Sequence, residues 1–272
     1  MKKFLAIFMC ALMVFQVIGA ATVSLSAAAG ATGNSLYNTS NVWEQEYLDQ
    51  SSTDNYGYRN SKSPELANGV LKFERNDGVR FNWANIAGMG AFDANKTYTF
   101  TFDVKVTDFG VDEPLSGSPA WNREFYFAPG GYYNQIEFRN ANYSGQLGIR
   151  TGDGGSSYPK GGWTNDLSIY KLNTTYKCTV EWKPSEGKII STVKDGDTII
   201  AQGARTNNDY KTYNKYTRSF VFRCEDGVME LDNVTFSDGV TTFRDEFTYT
   251  SIEPDGCIYT AALEEDFDTN VY

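Results

Sequence analysis

Histidine is absent from the sequence. That excludes a Ser-His-Asp or Cys-His nucleophile, a His-ligated zinc site and the H-E-x-x-H metalloprotease motif. Proline is scarce, at 7 of 272 residues, and 41% of the chain is hydrophobic, so neither a disordered nor a low-complexity protein fits. Cysteine is scarce as well, with four in all. Cys10 lies in an N-terminal apolar run, which leaves Cys178, Cys224 and Cys257. An odd count allows at most one internal disulfide, so this is not a disulfide scaffold. Cys178 and Cys224 each alternate with apolar residues, Val180 and Phe222, which favours buried free thiols over a disulfide.

Basic charge is in short supply: 24 Lys and Arg stand against 34 Asp and Glu, a net −10. From Asp238 to Tyr272 there are nine acids and one base, so that segment alone carries −8. The body is close to neutral and lacks the basic face that phosphate binding requires, so no nucleic-acid partner is expected. Residues 240–272 read as an acidic C-terminal extension in solvent.

Only one long apolar run is present. Lys2-Lys3 precedes Phe4 to Val14, followed by small residues at Gly19-Ala20-Ala21 and Ala27-Ala28-Ala29. A positive start, an apolar middle and a small-residue exit describe a secretory signal peptide over residues 1–29, with cleavage near Ala21 or Ala29. A membrane anchor is the alternative, since the run nears the ~20 residues of a spanning helix. With cleavage, the protein is extracellular, secreted or associated with the cell surface, and has no remaining membrane contact.

Residues 30–66 are polar and without a sustained period, an irregular lead-in. Strands follow. In Lys96 to Thr107, Tyr98, Phe100, Phe102, Val104 and Val106 share one face, and Thr97, Thr99, Thr101, Asp103 and Lys105 share the other. That alternation is a half-buried antiparallel strand. About ten more short alternating runs recur between Val70 and Phe236, with turn signals such as Asp195-Gly196, Asp226-Gly227 and Asp238-Gly239 between them. Short strands at near-regular spacing, without a helical period, predict an all-β, two-sheet antiparallel sandwich over residues 67–239.

The strand order NGVLKF, TYTFTFDVKV, YKCTVEWKPSEGKIISTVKDGDTII and GVMELDNVTFSDG resembles secreted domains of the concanavalin A-like lectin/glucanase superfamily. The resemblance spans roughly Asn68 to Gly239 and implies a jelly roll whose concave sheet commonly carries a carbohydrate site. Galactose-binding-like jelly rolls are the competing fold. In the glucanase branch the resemblance implies E-x-D-x-x-E on one strand. Glu230-Leu231-Asp232 supplies the first half, but Thr235 stands where the second glutamate belongs. The acid/base partner for glycoside hydrolysis is then missing, and the non-catalytic branch is expected. No cofactor is expected. Jelly-roll modules often use a last-strand carboxylate for a structural calcium, which would here be Asp232.

Sugar recognition needs flat aromatic faces together with planar donors and acceptors. With Phe125, Phe127, Ile136, Phe138, Leu147 and Ile149 inside, the opposite face carries Tyr126, Tyr133, Gln135, Glu137, Arg139 and Arg150, flanked by loop residues Trp121 and Trp163. This face is the candidate glycan site; the same pattern also fits an ordinary solvated sheet surface. The expected function is a secreted, non-catalytic, lectin-like module for an oligosaccharide or polysaccharide. The alternatives are an adhesin or structural module that binds protein, and a glycoside hydrolase using carboxylates.

Overall fold

A computed structural model describes residues 26–28, 36, 42–45, 63–75, 77–108, 123–130, 135–141, 146–152, 157–160, 170–224 and 227–249. Its strands are β1 (Ser26–Ala28), β2 (Trp43–Gln45), β3 (Glu65–Ala67), β4 (Val70–Phe73), β5 (Gly78–Phe81) and β6 (Tyr98–Asp108). After these come β7 (Arg123–Pro129), β8 (Ile136–Ala141), β9 (Gln146–Thr151), β10 (Ser157–Lys160) and β11 (Thr175–Lys183). The remainder are β12 (Lys188–Asp195), β13 (Thr198–Thr206), β14 (Phe220–Cys224), β15 (Val228–Ser237) and β16 (Thr241–Asp245).

Two sheets result. One has ten strands in the order β1-β16-β15-β6-β11-β12-β13-β10, with the β3–β4 hairpin attached to β15; the other has six, β2-β5-β14-β7-β8-β9. The chain crosses between sheets at β1–β2, β2–β3, β4–β5, β5–β6, β6–β7, β9–β10, β13–β14 and β14–β15, and this repeated crossing is how a jelly-roll sandwich is wound. All pairings are antiparallel except β1 with β16. Among the described residues no helix is long and apolar enough to cross a membrane.

Strict alternation explains the core. Along β6 the burial alternates from Tyr98 to Thr107, with every second side chain inside, as the period-2 pattern requires. Phe100 sits at the centre, with the rings of Phe81 at 4.8 Å, Phe127 at 5.2 Å, Phe220 at 5.4 Å and Phe236 at 5.5 Å. These rings come from both sheets, so the aromatic-rich strands form one continuous core. Cys178 and Cys224 are both buried and free. Burial pushes the Cys178 thiol well above its ordinary range, with a smaller contribution from Asp103.

The two sheets close on each other at both edges. At one, Gly203 of β13 lies so near Thr151 of β9 that a Cβ there would fall 2.3 Å from the Thr151 carbonyl oxygen. At the other, Trp43 of β2 donates its indole N–H to Asp245 of β16 across 2.8 Å.

The sandwich extends past the limits expected from the sequence. Leu36, Val42 and Trp43, from the supposed irregular lead-in, are core residues, and β2 is a strand of the six-stranded sheet. β16 lies beyond Gly239, pairs with β15 and brings Phe243 into the core together with the following Phe247. The acidic composition of the tail conceals this alternation: Thr241, Phe243 and Asp245 face in while Arg244 faces out. β1 falls within residues 1–29. Cys257 and residues 250–272 lie outside the described residues.

Candidate functional site

The face expected to bind glycan is closed where it is described. Across the six-stranded sheet Arg223, Tyr126, Glu137 and Arg150 stand in register on one row. Tyr126 is 5% exposed, and Glu137 and Arg223 are buried too. Tyr126, Ala128 and Val221 form a second apolar cluster on this side of the sheet. A face with that much apolar surface is stabilised by being covered, so strand alternation identified the face correctly but not its exposure. Gln135 departs from the expected phase. It precedes β8, and its amide donates from Nε2 to the hydroxyl of Tyr210, a core residue, at 3.0 Å. Arg139 lies in β8 opposite Arg123 and Gly148. Trp121, Tyr133 and Trp163 lie outside the described residues.

The partial glucanase motif faces outward from the ten-stranded sheet. Leu231 is buried, whereas Glu230 accepts from Lys105 Nζ at 2.7 Å in an ion pair. A β-bulge lies between Asp232 and Thr235, and Asn233 takes a left-handed φ of 51° there. The Asn233 amide donates to Asp103 at 2.9 Å and to Asp232 at 3.2 Å. Burial, and behind it the carboxylates of Asp103, Glu246 and Glu230, raise the Asp232 carboxyl above its ordinary value, against the Asn233 backbone N–H that donates to it. A polar cavity of about 310 Å³ opens beside the bulge between Thr101, Asp103, Lys177, Asn233, Thr235 and Arg244. Phe102 borders it as well, with its ring packed into the core against Phe127 and Phe222. Among the described residues, no group of three or more His, Cys, Asp or Glu is placed to hold a metal, around Asp232 or elsewhere.

A different arrangement occupies the end of the sandwich where β6 starts and β11 ends. Trp83, Phe92, Tyr98 and Trp182 pack there, with Tyr98 on Trp182 at 4.8 Å and Phe92 on Trp182 at 5.5 Å, both nearly parallel. Residues 207–219 run over this cluster. Both buried tryptophans hold them: the Trp182 indole donates to the Tyr210 carbonyl at 2.7 Å, and the Trp83 indole to the Thr217 carbonyl at 2.7 Å. Asn207 caps the short 3-10 turn Asn208–Lys211 by accepting from the Asp209 N–H.

Asn214 then ties the loop to itself. Its Nδ2 donates to the Asp209 carbonyl at 2.7 Å and to Thr212 Oγ1 at 3.0 Å, and its Oδ1 accepts from the Tyr216 N–H at 2.8 Å. The buried Thr217 hydroxyl donates to the Thr212 carbonyl and accepts from the Asn214 N–H. Gly130, at the end of β7, lets the sheet meet this loop, since a Cβ there would lie 2.4 Å from the Lys215 carbonyl oxygen.

The loop presents Tyr213. At 49% exposure it is the most exposed aromatic side chain among the described residues. Its ring meets Trp83 edge to face, with centroids 5.6 Å apart and planes at 89°. An open cavity of about 400 Å³ lies between Tyr213, Asn214, Lys215 and Arg218. Lys215 Nζ rests 5.3 Å from the centre of the Tyr216 ring, a cation–π contact. The sequence pattern signals this site only through aromatics interleaved with bases in NNDYKTYNKYTRS, since the segment has neither a strand nor a helix period. Lys105 stands seven residues along β6 from Tyr98, so its partner Glu230 is about 23 Å from this end, at the rise of an extended strand.

No protein-family model and no curated protein matches the chain. Solved structures do. The winged bean acidic lectin in complex with methyl-α-D-galactose is similar at 9% identity and a TM-score of 0.39, over 73% of this chain and 93% of the lectin. A carbohydrate-binding module from Bacillus subtilis is similar at 8% identity and 0.36, over 74% of this chain and 98% of the module. The catalytic domain of a glycoside hydrolase family 131 protein from Coprinopsis cinerea is similar at 10% identity and 0.38, over 64% and 71%. At such scores these similarities bear on neither ligand nor chemistry, and the two-sheet jelly-roll sandwich rests on the strand order itself.

Proposed function

We propose that the chain is an exported, non-catalytic carbohydrate-binding module whose ligand rests on the end loop at Tyr213. The observation that carries this reading is the exposed Tyr213 ring, held edge to face on a buried tryptophan. A pyranose presents an apolar C–H face to a flat ring, and binding is favoured where the ring needs no reordering. Two indole hydrogen bonds and the Asn214 network preorganise the loop before a ligand arrives.

Export is supported by the basic, apolar and small-residue succession at the N-terminus. The absence of catalysis is supported by Thr235 in the place of the second motif glutamate, and by the distance of Glu230 from the aromatic end. A single shelf of this size fits weak binding, with a Kd on the order of 0.1–1 mM, or about −4 to −5.5 kcal/mol. Calorimetric titration with a panel of oligosaccharides tests the reading. Binding that disappears in Tyr213→Ala at an unchanged melting temperature supports it; binding that survives the substitution, or no binding across the panel, overturns it.

A further inference from the structure

We propose that two copies of this chain associate through the outer face of the ten-stranded sheet, related by a two-fold axis that lies in the interface and runs along the strands between β6 and β11. The observation that carries it is a row of four charges in register across that face. Asp232 of β15 stands opposite Asp103 of β6, Asp103 opposite Lys177 of β11, and Lys177 opposite Lys194 of β12. The row therefore reads acid, acid, base, base. Like charges directly opposite on neighbouring strands oppose folding. After burial, the Asp103 carboxylate is the largest of the charges that raise the Asp232 carboxyl. Alternating signs would serve an isolated sheet better. Blocked signs complement the same row read backwards.

A two-fold axis supplies that reversal. Passing between Asp103 and Lys177, it sets Asp103 against Lys177 of the second copy and Asp232 against Lys194 of the second copy, each contact occurring twice. The next row along the strands is Thr235, Thr101, Thr179 and Thr192, again in register. The hydroxyls of Thr235, Thr101 and Thr179 make no hydrogen bond among the described residues. The same axis brings Thr101 to Thr179 of the second copy and Thr235 to its Thr192, and a hydroxyl both donates and accepts. The polar cavity of about 310 Å³ lies on the acidic half of the face, where it has room for the Lys194 side chain of the second copy.

The face is broad enough for such a contact. From β16 to β13 it is six strands wide and about nine residues long. At the spacings of a sheet that is roughly 24 by 30 Å, or about 700 Å² per copy, near the ~800 Å² of a standard interface. Because the axis runs along the strands, both end loops emerge at the same end of the pair. On the carbohydrate reading the assembly is then bivalent, and two weak shelves on one glycan-bearing surface gain avidity by roughly 10²–10⁴. The association itself does not rest on that reading, and its test contains no sugar.

Sedimentation velocity of the full chain should show a dimer in exchange with monomer. Its dissociation constant should rise at least tenfold from ~50 to ~500 mM salt, where screening shortens to well under ~10 Å. Lys177→Glu with Lys194→Glu makes the row wholly acidic, and Asp103→Lys with Asp232→Lys makes it wholly basic. Each double variant alone should be monomeric, and an equimolar mixture should recover a dimer of one copy of each. Carbodiimide crosslinking of the native chain needs no variant. Asp232 and Lys194 lie three inter-strand steps apart, about 14 Å within one chain and beyond direct amide formation, so a bond between them joins two copies. Mass spectrometry of the crosslinked dimer should find that bond. A native chain that stays monomeric at low salt overturns the proposal. So does a dimer without the Asp232–Lys194 bond, a dimer that survives Lys177→Glu with Lys194→Glu, or a mixture that stays monomeric while both variants melt near the native temperature.

Discussion

The Trp43 indole N–H and the Asp245 carboxylate meet across 2.8 Å although 202 positions separate them in the chain. Trp43 belongs to the six-stranded sheet and Asp245 to the ten-stranded one, so this bond joins the two layers at an edge. The Tyr249 hydroxyl donates to the same carboxylate oxygen, and the Phe247 backbone N–H donates to the other. Three donors surround a buried acid, and the terminal segments of the domain hold each other in place through it.

Burial raises the Asp245 carboxyl above its ordinary value, more than the donors Tyr249, Phe247 and Trp43 lower it. Burial, with the neighbouring Asp245 charge, raises the Tyr249 phenol as well. The sign for stability follows. A carboxyl whose folded value exceeds its unfolded one binds protons more readily when folded. Its contribution to stability is therefore lost as pH rises through the folded value and recovered as pH falls toward the unfolded 3.8. Melting curves from pH 7 down to about 4 should show a smaller acid-induced loss in the native protein than in Asp245→Asn, where this term is absent. Parallel pH dependences would show that the carboxyl does not titrate differently on folding.

Truncation after Gly239 should abolish the cooperative melt. It removes β16, the core rings of Phe243 and Phe247, and the carboxylate that Trp43 needs. Phe243→Ala alone should cost about 3–5 kcal/mol. Denaturant unfolding of both variants checks this, and a truncated chain that melts cooperatively near the native temperature contradicts it.

Cys178 and Cys224 should resist alkylation in the native state. Both are buried, and Cys224 Sγ donates to the Gly227 carbonyl at 3.6 Å. Burial holds the Cys178 thiol in its unreactive protonated form. Mass spectrometry after native and denatured labelling should show modification of these two only when the chain is unfolded. Rapid native labelling of Cys178 would place β11 in the opposite phase.

The mature N-terminus should precede Ser26. Ser26–Ala28 pairs in parallel with Thr241–Phe243 and lends β16 a second neighbour. Cleavage near Ala21 retains that strand and cleavage near Ala29 removes it. N-terminal sequencing of exported protein decides between them, and a chain starting after Ala29 leaves β16 without β1.

Particular residues show what was legible in the sequence. β6 alternates without interruption, so spacing alone puts Tyr98, Phe100 and Phe102 on one face, and the structure buries all three. Alternation separates two faces of a strand but contains nothing about what covers each face. Alternation therefore puts Tyr126 and Glu137 on the face away from Phe125 and Phe138 but does not reveal their burial, which the structure shows to be nearly complete. Gln135 departs from the alternation because a bend just before β8 breaks the period locally. The β3–β4 hairpin had its own signal in Asn68-Gly69, whose φ values of 55° and 80° are those of a tight hairpin turn. Tyr213 leaves no such trace in the sequence, because its loop is held by the Trp83 and Trp182 indoles on the Thr217 and Tyr210 carbonyls, contacts that exist only after folding.

The most direct test of the central claim is an amide chemical-shift map recorded during titration of the labelled protein with oligosaccharide. Shifts concentrated at Tyr213, Asn214, Lys215 and Arg218, with the largest at the Tyr213 amide, are the predicted result. Shifts concentrated instead on β7 to β9, or in the polar cavity between Lys177 and Arg244, would contradict it.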